Sequence, residues 1–104
     1  ITDKSTDYTL VLGDAQTCIR HPGSDANNRT FTIPANAYVA YPVGTAITFM
    51  NNASANTVTI AITTDTLTLA VAGTTGSRTL AAHGVATAIK IASTAWFISG
   101  AGLT

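Results

Sequence analysis

Along this 104-residue chain, apolar side chains recur at every second position in short runs that are cut by turn residues. Tyr8, Leu10 and Leu12 share one side of such a run, and Phe31 and Ile33 share a side after the Asn27-Asn28 pair. Val58, Ile60 and Ile62 point one way while Thr57, Thr59 and Ala61 point the other. The second half repeats the texture: Leu67 and Leu69 alternate with Thr66 and Thr68, Ile89 and Ile91 with Ala88, Lys90 and Ala92, and Trp96 and Ile98 with Phe97 and Ser99. The intervening positions are mostly Thr, whose branched Cβ suits a pleated surface better than a helix. Turn chemistry supplies the cuts at Pro22-Gly23, Asn27-Asn28, Pro42 to Gly44, Ala53 to Asn56, Gly73 to Gly76, His83-Gly84 and Ser93-Thr94. The pattern predicts one all-β domain over residues 1–104, a small antiparallel β-sandwich or barrel-like fold of about eight to ten short strands. Proline cannot donate to a central ladder, so Pro34 and Pro42 mark strand ends or edges around Ala35 to Tyr41. Gly73 to Ser77 carries no apolar anchor and is expected to form a mobile loop. No tandem repeat of fixed period is visible.

Composition alters the picture of the surface. Charged residues make up 10% of the chain, against about 25% in ordinary soluble domains, and Thr makes up about a fifth, so hydroxyls replace ions as the main surface polarity. Five Lys and Arg balance five acids, all of them Asp. Such a chain has no basic footprint for nucleic acid and none for an anionic membrane surface. The uncharged stretch between Thr30 and Thr64 is broken by Pro34, Pro42, Gly44, Asn51, Asn52 and Asn56, too often for a membrane-spanning helix of about 20 residues, and no membrane insertion is expected. The chain opens at Ile1 with no basic stretch followed by an apolar one, so no secretory leader is expected in it, and the natural protein is expected to extend upstream. Many inward positions are Ala or Val, which leaves a lone chain with a modest core. With so few edge charges, its β surfaces are expected to be covered by further copies, three or two about a shared axis.

Candidate chemistry is thin. A carboxylate pair of the glycosidase kind could be nominated only from Asp14 with Asp25 or Asp65, and Asp25 and Asp65 sit where turns need a side-chain acceptor. His21 and His83 are far apart and lack metal-ligand spacing, although one such residue per chain would become three on a three-fold axis. Cys18 is the only cysteine, so there is no intrachain disulfide, and it reads as a small buried hydrophobe on a strand. Gly73-Thr74-Thr75-Gly76-Ser77-Arg78 lacks the Gly-Lys-Ser/Thr ending of a phosphate loop. The residues therefore point to a non-enzymatic domain with no cofactor and no metal. Tyr38 and Tyr41 flank the proline-bracketed segment and, if exposed, would stack on a sugar. Asn52 and Asn56 in one loop, and Thr74 and Thr75 in another, complete the candidate surface-contact residues.

Two stretches carry a resemblance. Tyr8-Thr9-Leu10-Val11-Leu12-Gly13-Asp14-Ala15, Cys18-Ile19-Arg20, Phe31-Thr32-Ile33-Pro34 and Tyr41-Pro42-Val43-Gly44-Thr45 form the first, and Gly73 to Leu80, Gly84 to Ala88 and Trp96 to Gly100 the second. Together they resemble a module of bacteriophage and prophage virion proteins, mostly tail-fibre or related appendage proteins. The resemblance rests on strand and turn texture, and it brings no active-site motif. It implies a trimeric C-terminal β domain at the tip of a fibre or spike on the virion exterior, partnered by itself, by other virion proteins and by a host-surface glycan or protein. A head-decoration or capsid-fibre protein is the alternative of the same class. A secreted carbohydrate-binding module is the alternative of another class, and it requires Tyr38, Tyr41 or Trp96 to be exposed.

Overall fold

The computed structural model describes all of residues 1–104. Nine strands form: β1 (Thr2–Asp3), β2 (Tyr8–Thr9), β3 (Cys18–His21), β4 (Arg29–Ile33), β5 (Ala46–Asn51), β6 (Val58–Ile62), β7 (Thr66–Leu69), β8 (Arg78–Ala92) and β9 (Ala95–Leu103). The only helical element is a 3-10 turn at Leu12–Asp14. No helix is long and apolar enough to cross a membrane. The all-β, single-domain expectation and the strand number are met.

All nine strands belong to one sheet, in the order β1-β3-β5-β8-β6-β4-β2, with β9 beside β8 and β7 beside β9. The sheet is folded over into two wings. In the first, β1, β3 and β5 run parallel. In the second, β2, β4 and β6 run parallel. The chain thus passes along the first wing, turns, returns along the second and crosses back one step further on, three times. β8 closes this winding by serving both wings: Arg78 to Leu80 pair antiparallel with β6, and Val85 to Ile89 pair antiparallel with β5. Between those stretches it bends over the turn end of the wings, with a register shift from Leu80 to Val85 and a positive φ at His83. β9 follows β8 around the bend, which brings the two backbones so close at Gly100 that a Cβ there would collide with the Val85 carbonyl oxygen and the Ala86 backbone.

The antiparallel expectation is corrected. Five of the eight ladders are parallel, and only the three made by β8 are antiparallel. Period-two alternation is the same for both senses, and the direction is set by the connections: each strand is followed by one in the opposite wing, so its ladder partner comes a full turn later and runs the same way. The winding also reveals a repeat that no fixed period could show. Tyr8, Phe31 and Ile60 are stacked in register, as are Thr9, Thr32 and Ala61, although the chain lengths between them are unequal.

Inward residues of the two wings meet in one core that holds Ile19, Phe31, Phe49, Ile60, Trp96 and Ile98, each at most 1% exposed. Burying each large side chain of this kind contributes about 1.5–3 kcal/mol. β4 ends at Pro34 as expected of a proline, and the crossing from Pro34 to Thr45 folds back over the core.

Candidate functional site

The chain's scarce polar chemistry collects at the turns. At the end where β3 turns into β4 and β5 into β6, His21 and Asn51 are neighbours in register and fully buried. Asn51 Nδ2 donates to the carbonyls of Asn56 (2.7 Å), Leu80 (3.3 Å) and Ala81 (3.2 Å), which fixes its amide orientation. Its Oδ1 accepts from the Ala53 N–H at 3.2 Å and faces His21 Nδ1 at 2.9 Å. His21 Nε2 lies 2.8 Å from Asp25 Oδ2. The Asp25 carboxylate also accepts from Arg29 Nε (2.7 Å), Arg29 Nη2 (3.1 Å) and Asn27 Nδ2 (2.8 Å), so four donors surround its two oxygens. Arg29 first, then Asn27 and His21, hold this carboxyl well below the usual carboxylate range against the opposing effect of burial. Both His21 nitrogens therefore face acceptors.

The remaining acids are used the same way. Asp14 Oδ2 accepts from the Tyr8 hydroxyl (2.6 Å) and the Val11 N–H (2.9 Å). Burial first, and this bond second, push the Tyr8 phenol up to about 12. Asp3 makes a two-point pair with Arg20 at 2.6 and 3.1 Å, which lowers its pKa, Asp7 accepts from the Thr30 N–H, and Asp65 accepts from the Asn36 N–H. All five carboxylates thus brace strands or turns. No three His, Cys, Asp or Glu side chains come together as a metal site, and the His21 nitrogens are already engaged.

The candidate contact residues are dispersed. Tyr38 is exposed in the crossing between β4 and β5. Asn52 and Asn56 lie at the opposite end, in the turn between β5 and β6; Asn52 is exposed, while Asn56 is half-buried and braces the turn, its carbonyl accepting from Asn51 and its amide donating to Asn28 at 3.4 Å. Thr74 and Thr75 are exposed at the lateral edge, beside β7. Tyr41 requires correction as a contact: it is 3% exposed, packs edge-on against Trp96 with ring centroids 5.7 Å apart, and donates its hydroxyl to the Val11 carbonyl at 2.5 Å. Burial raises its pKa. The proline-bracketed segment uses this ring to cover Trp96, which is itself buried. The loop at Gly73 to Ser77, expected to be mobile, is tied down. Leu69 N–H donates to the Thr74 carbonyl, Gly76 N–H to the Leu67 carbonyl, and Arg78 bonds both the Ser77 carbonyl and the Thr74 hydroxyl. Just ahead of the loop, Val71 is fully exposed and held at φ +68°, a conformation rare for a β-branched residue.

The outer faces of the two wings differ sharply. On the second wing, Thr30, Thr59 and Thr79 form one row, and Thr9, Thr32 and Ala61 another. On the first wing, three rows run across β3, β5, β8 and β9: Arg20, Met50, Val85 and Ala101; Cys18, Thr48, Thr87 and Ser99; and, from β5 onward, Ala46, Ile89 and Phe97. Ile89, Ile91 and Phe97 are 46%, 49% and 43% exposed. Hydropathy alone would bury Ile89 and Ile91, yet the register sends Ala88 and Lys90 inward instead, the lysine donating to Asn36 Oδ1 at 2.7 Å and to the Tyr41 carbonyl at 2.8 Å. Cys18 is half-buried within the first-wing face, and burial pushes its thiol up.

Comparison with protein families, with curated proteins and with solved structures finds no match to this chain.

Proposed function

We propose that the chain is a non-enzymatic structural module of a bacteriophage particle, a fibre or spike tip on the virion exterior that assembles as a homotrimer and contacts the host surface. The observation that carries the reading is where the polar chemistry goes: all five carboxylates and His21 are committed to bracing the fold. What the domain offers outward is rigid β surface and short loops. Resemblance to virion appendage modules supplies the class of particle. Tyr38 at one end, Asn52 at the other and Thr74, Thr75 and Val71 at the lateral edge are the exposed loop residues suited to contact a glycan or protein. A secreted carbohydrate-binding module is the weaker reading, because Tyr41 and Trp96 lie in the core and Tyr38 alone remains of the expected sugar-stacking rings.

Antibody raised against the purified domain tests the proposal on intact particles of the phage or induced prophage that encodes it. The expected result is labelling at the end of a tail appendage, and purified domain should slow adsorption of those particles to susceptible cells. Labelling over the head would move the protein to the decoration class. Particles free of the protein by immunoblot would refute a virion role.

A further inference from the structure

We infer that the outer face of the first wing, centred on Ile89 and Phe97, is where a second copy of this chain packs. The inference rests on the proposed reading that assembly is the work of the domain, and it names the surface that does it. One sheet carries both outer faces, so their contrast is not a matter of fold: the second wing is lined with threonine hydroxyls, while the first leaves Val85, Ile89, Ile91 and Phe97 about half in water. These four side chains alone expose on the order of 300 Å² of apolar surface, comparable to the largest apolar patch of a typical single chain, which is often functional. Four strands spaced by about 4.8 Å and three rows of side chains about 6.8 Å apart make a flat panel of about 400 Å², which places the contact among small interfaces, below the standard size of about 800 Å² per partner.

Charge selects the occupant. The only ionised side chain in the three rows is Arg20, already neutralised at the edge by the two-point pair with Asp3. The chain as a whole carries no net charge. Nothing on the face repels an identical face, and nothing on it recruits an oppositely charged partner. Shape selects the same occupant. The middle row, Cys18, Thr48, Thr87 and Ser99, is a trough of small side chains, with the Thr48 and Thr87 hydroxyls bonded to each other at 3.1 Å. Beside it stands the ridge of Ile89 and Phe97. The ridge of one copy seats in the trough of the next, and three such head-to-tail contacts close a ring about a common axis.

Light scattering on the purified full chain reads this directly. The wild type should have the mass of three chains, Ile89→Arg the mass of one with an unchanged circular dichroism spectrum, and Thr59→Arg, on the threonine face, the mass of three. A two-chain wild type that Ile89→Arg splits would keep the face and overturn the ring. A wild type that stays single at the highest concentration reached, or an Ile89→Arg variant that stays assembled, would overturn the inference. Should Ile89→Arg not fold, the reactivity of Cys18 decides whether this face is the one that packs. Cys18 lies in the trough, so its reaction with a thiol reagent should slow as protein concentration rises, and a rate independent of concentration would refute the contact. Failure here leaves particle labelling unaffected, and an assembled protein absent from particles leaves the interface standing.

Discussion

Replacing Asn51 by alanine removes a fully buried side chain that joins the β3–β4 turn, the β5–β6 turn and the bend of β8. Its Oδ1 serves two donors, and its two amide hydrogens serve three carbonyls, one of them shared between Leu80 and Ala81. Truncation leaves the His21 Nδ1–H and the Ala53 N–H without acceptors, and at least the Asn56 carbonyl without its shortest donor. Each buried group left unpaired costs about 1–3 kcal/mol, so a total of about 3–5 kcal/mol is expected. For a domain of this size each kcal/mol moves Tm by about 4–8 °C, which places the variant at least about 12 °C below the wild type. Urea and thermal unfolding, followed by Trp96 fluorescence at one fixed protein concentration, measure the loss, because the proposed assembly would add concentration-dependent stability. Asn51→Leu, close in volume, separates the lost bonds from the lost packing and should recover little. A loss below about 1 kcal/mol for Asn51→Ala would mean that water reaches the site or that the turns relax freely, and the account of the network would be wrong.

Three further outcomes follow from the same geometry. The folded state holds Asp25 below its ordinary range, so its contribution is present above about pH 4 and is lost as pH falls further. Thermal melts should therefore drop on acidification, and Asp25→Asn, though less stable at neutral pH, should show a shallower acid loss. Tyr8 has the opposite sign: its pKa is raised from 10.0 to about 12, so its bond to Asp14 supports the fold fully below pH 10 and is lost as pH climbs toward 12. Tyr8→Phe should flatten that alkaline limb in melts followed by circular dichroism. Gly100→Ala forces a Cβ into the Val85 and Ala86 backbone, so separation of β8 from β9 and a stability loss of more than about 3 kcal/mol are expected by chemical denaturation.

Much of the fold was legible in the residues because period-two alternation is a local signal. β4, β6 and β7, and the Trp96 and Ile98 positions of β9, lie where the pattern puts them, and Pro34 ends β4 for the reason any proline does. Direction was not legible, since the same alternation serves parallel and antiparallel ladders and only the long connections decide. The side-chain polarity of β8 was misleading. Its in-register pairing with β5 puts Lys90 inward beside Asn36 and leaves Ile89 and Ile91 outside, a consequence of non-local register that a one-residue slip would reverse. Tyr41 and Tyr38 look alike in sequence, three residues apart, yet one caps Trp96 and the other faces water. The His21, Asp25 and Arg29 cluster did carry a signal, a titratable residue every fourth position through a turn, but its partner Asn51 comes from another turn of the winding.

These placements give the low charge of the chain a physical meaning. Flat strands of Thr and Ala specify their register weakly, because sliding by two residues exchanges one small side chain for another. The buried ties remove that freedom: His21 with Asn51 locks β3 to β5, Asn51 with the Leu80 and Ala81 carbonyls locks β5 to the bend of β8, and Lys90 with the Tyr41 carbonyl locks β8 to the crossing. Each requires one register and is broken by a slip. A chain that spends a good part of its few ionisable groups inside has few left for its surface, and the first wing is then clothed in methyls, one aromatic ring and hydroxyls. The same choice that makes the winding unique thus leaves a face whose one charge, Arg20, is already paired with Asp3 at the edge, so the face carries no electrostatic barrier to the proposed packing of copies.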